Sequence, residues 1–452
     1  MRLLNNRAGP PYQTGRLMML PLYRTLTTVG RPLIRLYLAY RQAKGKEDRN
    51  RFSERLGRPG RARPEGLMIW VHAASVGEAL SLLPLIEKLL AENDQLNVLM
   101  TTGTVTSAHL MTERLPARAF HQYMPVDCLA YIQPFLDHWR PDLALWAESE
   151  FWPNMITESH AHNIPMILVN GRISPRSFAG WQRQRKLINR LLTSFQLCLG
   201  QSEGDAERLR ALGAPNAQYL GNLKFSAPAL PVDDVELANL KSVIGTRPFW
   251  LAASTHPGEE DIIAQVQSSL RATIPNVLCI SVPRHPERGE AICDIFNRAK
   301  LKAARRSQSQ PITDQTDVYV ADTIGELGLF FRLCDIVFMG KSMLTDNARN
   351  GGQNPLEPAR LNCAIVQGPH TMNFADITER LRAAEAFCEV ADEHSLTATL
   401  KELLQNQTLC QQLAKAATDV ANSESDTLDR LSDAITPFLS APAAQDTNDA
   451  NA

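Results

Sequence analysis

"LMIWVHAASVGEALSLLPLI", residues 67 to 86, passes from an unbroken apolar run into a capped, apolar-periodic segment within one short loop. Its first seven residues have no polar alternation, which predicts a strand buried on both faces, as in a parallel sheet. Ser75 and Glu78 then fit the S-x-x-E capping box, in which the serine oxygen accepts the third helical amide and the glutamate reaches back. A carboxylate in a first turn also suits the positive end of the helix dipole. Glu78 therefore has two open readings here, helix cap or active-site base. Pro84, nine residues after Ser75, is expected to kink or end the helix.

The same alternation runs outward from this stretch. Further strands are predicted at "NVLMTTG" (97–103), "LALWAES" (143–149), "MILVN" (166–170) and "LCLGQS" (197–202). Pro228 and Pro231 then interrupt the pattern, and a linker is predicted over 231–245. A second half repeats the plan with "FWLAAST" (249–255), "VLCISVPRH" (277–285), "VYVADT" (318–323), "IVFMGKS" (336–342) and "CAIVQG" (363–368). The fold class is α/β: two doubly wound parallel-sheet domains, 46–230 and 246–438, with their strand-end turns facing a central cleft. The length of 452 residues suits two such cores.

Forty-eight acidic residues against 47 basic ones leave no global charge for nucleic acid, so no nucleic-acid partner is expected. Eight scattered cysteines show neither CxxC nor metal-ligand spacing and read as reduced core residues of a cytosol-facing protein. Residues 16–45 are apolar but punctuated by Arg16, Arg24, Arg31, Arg35 and Arg41, too often for a spanning helix. They suit an amphipathic helix lying in an anionic membrane interface, or one packed on the protein. Residues 1–15 and 439–452 read as disordered.

Four stretches carry chemistry-bearing side chains. In "AESEFWPN", Glu148 stands at a strand end, and alternation would put Glu150 on the same side. A carboxylate at a sheet edge is costly to bury unpaired, so Glu148 is a site candidate, with a helix N-terminal acid near Pro153 as the alternative. "GNLKFS" delivers Lys224 after the last strand of the first half, either solvated or facing a departing phosphate. "STHPGEED" and "VPRHPER" put Ser254, Thr255, Arg284 and His285 in strand-end turns suited to phosphate. Neither is a GxGxxG or Walker A loop, which argues against NAD and ATP. "ARNGGQNPLEPA" joins Gly351 and Gly352 to Asn354 and Glu357, whose carboxylate can accept two ribose hydroxyls, the arrangement of a nucleotide-sugar site.

With "HAASVGEALSLLPL", "ESEFWPN", "NGRISPRS", "NLKF", "STHPGEE", "VPRHPER", "DTIGEL", "GGQNPLEPA" and "GPHTMNF" in one order over residues 72 to 374, the chain resembles the 3-deoxy-D-manno-octulosonic acid (Kdo) transferases of lipopolysaccharide assembly. The resemblance implies a GT-B glycosyltransferase of two Rossmann-like domains, acceptor on the first and donor on the second, with no required metal or other cofactor. The implied reaction moves Kdo from CMP-Kdo to a lipid A precursor of lipid IVA type, inverting the anomeric centre and releasing CMP. It further implies that Glu78 is the base, Glu148 assists at the transition state and Lys224 supports departing charge. CMP contacts map onto Pro283 and Arg284, onto Ile324, Gly325 and Glu326, and onto Asn354, Pro355, Leu356 and Glu357. Arg172 and Arg176 are candidates for acceptor phosphates. Lys341 stands where the family often has glycine, and the insert before the paired glycines is longer.

An acyl-chain acceptor stays in the bilayer, so the N-terminal segment is expected to hold the enzyme monotopically at the cytoplasmic face of the bacterial inner membrane, on its anionic lipid surface. The competing expectations are a GT-B enzyme using a UDP-sugar and a non-catalytic lipid- or nucleotide-binding scaffold. The conjunction of Glu78, Glu148, Lys224 and Glu357 disfavours the scaffold.

Overall fold

Apolar runs without alternation become strands where helices cover both faces of a sheet, and two such sheets organise this chain. The computed structural model describes residues 19–347 and 351–440; the expectation for residues 1–15 falls outside them, and of the tail expected to be disordered over 439–452, Leu439 and Ser440 instead close the last helix while the rest falls outside. Of the described residues, 19–226 joined by 426–440 form one compact unit, and those between Ala227 and Ser425 form the other.

The first unit is built on β1 (Leu67–His72), β2 (Leu96–Thr102), β3 (Ala119–Tyr123), β4 (Leu143–Ala147), β5 (Met166–Gly171), β6 (Leu197–Gly200) and β7 (Ala217–Tyr219). All pair in parallel, in the order β3-β2-β1-β4-β5-β6-β7. Val71 lies opposite both Met100 and Leu145. Alternate residues serve the two faces. Ile69, Val71 and Leu145 pack with Leu85 and Leu89 of the helix Val76–Glu92. Trp70 and Trp146 pack with Phe135 on the other side, Trp70 meeting each ring edge-on at 5.1 Å.

The helix Val76–Glu92 continues past Pro84 and does not end there. An interior proline costs about 3 kcal/mol. Leu82, Leu85, Ile86, Leu89 and Leu90 are all buried along this helix, and each contributes roughly 1.5–3 kcal/mol, so packing outweighs the break.

The second unit repeats the design with β8 (Phe249–Thr255), β9 (Leu278–Pro283), β10 (Ala303–Arg305), β11 (Val318–Val320), β12 (Ile336–Met339), β13 (Ala364–Gln367) and β14 (Phe387–Glu389). Their order is β10-β11-β9-β8-β12-β13-β14. Two expected boundaries move. The predicted linker contains a helix, Asp234–Ile244, because Asp233 caps it by accepting from the Val235 and Glu236 amides. The last helix, Thr427–Ser440, returns to the first unit, with Leu431 and Ile435 in the core beneath β1 and Asp429 paired with Lys88 at 2.8 Å.

Residues 19–43 form two helices, Met19–Val29 and Arg31–Ala43, in place of one segment. Leu20 and Leu38 are buried, whereas Leu22, Leu26, Val29, Leu33, Leu36, Tyr37 and Tyr40 are exposed. Two of the arginines expected at a membrane are used internally: Arg24 pairs with Glu158 and Arg41 with Glu47, both at 2.7 Å. Arg31 and Arg35 remain exposed, while Arg16 lies outside the described residues. Among the described residues no helix is long and apolar enough to cross a membrane.

Candidate active site

The strand order of the first sheet reverses at β1 and β4, the switch point at which open α/β sheets receive ligands beyond their carboxyl ends. Glu78 follows β1 and Glu148 follows β4, so the topology itself brings them to the same rim. At the helix start, the Glu78 amide donates to Ser75 Oγ over 3.3 Å. Ser75 Oγ donates back to Glu78 Oε1 at 2.7 Å, and the Ala74 amide donates to Oε2 at 2.9 Å. Glu78 therefore does cap the helix, although it takes the amide one residue ahead of the one a capping box uses. Its side chain is half-buried, and each carboxylate oxygen retains acceptor capacity beyond these bonds.

β4 ends at Ala147, and Glu148 turns with φ +53°, so strand alternation does not reach Glu150 as expected. A non-glycine residue in the left-handed region costs of order 1–3 kcal/mol, and such strain gathers at functional sites. The turn is tied to β5 by the Glu148 amide donating to Val169 O at 3.1 Å. Lys224 Nζ stands 3.8 Å from Glu148 Oε1, an ion pair longer than a hydrogen bond, with side chains 17% and 20% exposed. Burial pushes the Glu148 carboxyl above its ordinary range, Lys224 opposes this, and the charge of Glu78 adds to it. Burial and then Glu78 raise Glu150 in the same sense. The charge of Glu78 thus makes both Glu148 and Glu150 harder to ionise.

Two buried asparagines position Lys224, and neither was anticipated. Asn170, at φ +55°, accepts from the Leu223 amide at 3.2 Å, and Asn222 accepts from the Lys224 amide at 3.0 Å. The available signal was their pairing with glycine in "VNGR" and "GNLK", dipeptides that mark turns. Arg172 acts on Glu148 from β5's end by lowering its pKa, while Arg176 is exposed on the following helix, Pro175–Arg183.

The expected donor residues all fall at the carboxyl edge of the second sheet. Pro283 ends β9 and is buried; Arg284, exposed, donates its amide to Thr255 O at 3.0 Å. Ile324 is 87% exposed, and Gly325 follows it at φ +87° with open space where a Cβ would lie. The Glu326 carboxylate is already taken by Arg306, at 2.7 Å from its Nε, and that guanidinium holds its pKa down. Pro355 and Leu356 are buried and support the turn, in which Asn354 Oδ1 accepts from the Leu356 amide at 3.2 Å and Asn354 Nδ2 donates to Glu357 Oε1 at 3.3 Å. Burial raises the Glu357 carboxyl, and Asn354, Arg284 and Arg360 draw it back. Among the described residues no group of three His, Cys, Asp or Glu side chains could hold a metal ion.

Thr255 does not offer its hydroxyl as expected: it is buried, and its Oγ1 donates to Glu260 Oε1 at 2.9 Å, whereas Ser254, also buried, turns at φ +55°. The unanticipated residues in "STHPGEE" are the two glutamates. Glu260, wholly buried, is held by Arg288 at 2.8 and 3.0 Å. Glu259, also wholly buried, accepts from four amides: His256 (3.0 Å), Lys341 (2.7 Å), Ser342 (2.9 Å) and Met343 (3.3 Å).

Residues 50–227 match a family model described as 3-deoxy-D-manno-octulosonic-acid transferase (kdotransferase). A 3-deoxy-D-manno-octulosonic acid transferase of Rickettsia bellii is 33% identical over 85% of this chain and 91% of its own length. One from Haemophilus influenzae is 32% identical over 92% of this chain and 98% of its own. Among solved structures, a glycosyltransferase from Rickettsia africae superposes with a TM-score of 0.56, covering 84% of this chain and all of that one at 11% identity, a likeness of fold alone.

Proposed function

This chain belongs to the 3-deoxy-D-manno-octulosonic acid transferases, of GT-B fold, and on that premise we propose that it transfers Kdo from CMP-Kdo to a lipid A precursor in lipopolysaccharide biosynthesis, with Glu78 as the base. The carrying observation is the convergence of Glu78, Glu148 and Lys224 at the switch point of the first sheet. In this reading the acceptor hydroxyl loses its proton to Glu78 as its oxygen bonds to the anomeric carbon. The bond from that carbon to the phosphate oxygen breaks on the opposite side, so the centre inverts and CMP departs. Glu148 stabilises the cation-like centre, and Lys224 compensates the charge moving onto the leaving group.

The second unit binds the donor. Arg284 suits the phosphate, Glu357 the ribose hydroxyls, and the exposed Ile324 beside Gly325 a flat base. Glu326 contributes by holding its turn, since Arg306 occupies its carboxylate. The test is mass spectrometry of a lipid A precursor incubated with CMP-Kdo and the protein. A Kdo-sized mass gain that excess CMP suppresses and UDP does not is the expected result; transfer from a UDP-sugar in its place overturns the reading.

Membrane attachment at the cytoplasmic face belongs to the same proposal. The exposed residues Leu22, Leu26 and Val29, and then Leu33, Leu36, Tyr37 and Tyr40, recur at helical spacing, with Arg31 and Arg35 beside them. Replacing Leu22, Leu26, Leu33 and Leu36 with serine should lower co-sedimentation with anionic vesicles at least about a hundredfold, since each buried leucine contributes roughly 1.5–3 kcal/mol. These side chains are exposed, so the melting temperature should hold; unchanged vesicle binding would count against attachment through these helices.

A further inference from the structure

The turns after β8, β9 and β12 place His256, Arg284, His285 and Lys341 at the switch point of the second sheet, where β8 lies between β9 and β12. Their closeness is built in. Glu259 Oε2 accepts from both the His256 amide at 3.0 Å and the Lys341 amide at 2.7 Å, which sets these two residues side by side. The same turns approach so closely that a Cβ on Gly340 would lie 2.5 Å from Ser254 O. The rings of His256 and His285 meet edge-on, 5.7 Å between centroids. Gln353 Nε2 donates to His256 Nε2 at 3.1 Å, so a neutral His256 carries its proton on Nδ1 as a donor.

The cluster is positive beyond its own compensation. Arg288 is neutralised by Glu260, and His285 has only Glu287 at 3.6 Å. No ion pair engages Lys341 or Arg284 among the described residues. Burial, and then the charges of Lys341, His285, Arg284 and Arg288, push the His256 pKa down to about 4. Lys341 also holds φ +59°, a conformation in which glycine is at ease and a lysine is strained. Two cations without an ion pair among the described residues, Arg284 and Lys341, the second on strained backbone, beside an imidazole that carries a proton on Nδ1, call for an external anion.

We propose that His256, His285 and Lys341 form a carboxylate subsite that takes the acid group of the donor sugar. A nucleotide-linked sugar acid carries two anions, the phosphodiester and the sugar carboxylate, and therefore needs two sets of cationic or hydrogen-bond-donating groups. Arg284 marks the border: its charge acts both on Glu357, the ribose acceptor, and on His256. The phosphate falls to Arg284 and the carboxylate to Lys341 and the imidazole donors beyond it, along the row of turns from β9 through β8 to β12.

This inference rests on the donor reading above, and the experiment separates the two. The full chain and its Lys341→Gly and His256→Gln variants are titrated calorimetrically with CMP, which has the phosphate and lacks the sugar acid, and their KM for CMP-Kdo is measured. Lys341→Gly relieves the backbone, so folding is preserved. The expected result is a CMP affinity within twofold of wild type and a donor KM raised at least about tenfold in each variant, as for loss of a charge-assisted bond. Lys341→Arg should recover most of the lost KM. A parallel fall in CMP affinity makes the cluster a phosphate site and overturns the proposal, as does an unchanged donor KM. Wild-type protein that neither binds CMP nor uses CMP-Kdo would remove the donor reading itself, and the subsite with it.

Discussion

Glu78→Gln is expected to lower kcat about a thousandfold, in the middle of the range for loss of a positioned general base, with CMP affinity unchanged. The substitution is nearly isosteric. Its carbonyl oxygen can still accept from the Ala74 amide or from Ser75 Oγ, while the Glu78 amide keeps its bond to Ser75 Oγ, so most of the cap survives. Only the ability to accept a proton is removed, which is why stability and turnover should separate. Glu148 and Glu150 should also ionise more readily in the variant, because the charge of Glu78 raises both. Turnover by single-turnover mass spectrometry and melting temperature by calorimetry check the two halves. A variant that melts like wild type and turns over within threefold of it would return Glu78 to the role of helix cap.

The second large effect is structural. Glu259→Ala should destabilise the second unit by about 4 kcal/mol, because it orphans four buried or half-buried amides that each cost roughly 1–3 kcal/mol when unsatisfied. Partial access of water keeps the total below the sum. For a unit spanning Ala227–Ser425 this corresponds to a fall of about 8–16 °C in its melting temperature. The donor side of the site should loosen at the same time, since the carboxylate is what joins the turn at His256 to the turn at Lys341. Calorimetry of the variant with and without CMP is the check; a melting temperature within 2 °C of wild type would show that the amides find other partners.

The two sheets were legible because their central strands are buried on both faces and must be apolar throughout: each of the ten predicted runs became β1, β2, β4, β5, β6, β8, β9, β11, β12 or β13. The four strands that were missed, β3, β7, β10 and β14, are the four edges of the two sheets. An edge strand is short and half-covered, so its residues need not be continuously apolar, and "AQY" or "AAR" carries no pattern. The same limit applied to boundaries. Nothing local in "TLDRLSDAITPFLS" shows that this helix returns to the first unit, because its apolar face would fit either core.

For the candidate site, sequence by itself determined which residues stand at or just beyond the ends of the apolar runs, since a strand's end is a local event. Glu148 and Arg284 follow β4 and β9 directly, Ile324 lies just beyond β11, and Glu78 stands in the first turn of the helix after β1, whereas Lys224 follows the missed strand β7 and Glu357 lies in the short helix before β13. Their roles depended on what the fold brought beside them. Tertiary structure alone decided that Glu326 is occupied by Arg306, that Arg24 serves Glu158, and that Glu259 joins two turns more than eighty residues apart. A side chain's chemistry is written at its own position, but its charge, strain and free lone pairs are set by partners that are distant in sequence and that only folding brings near.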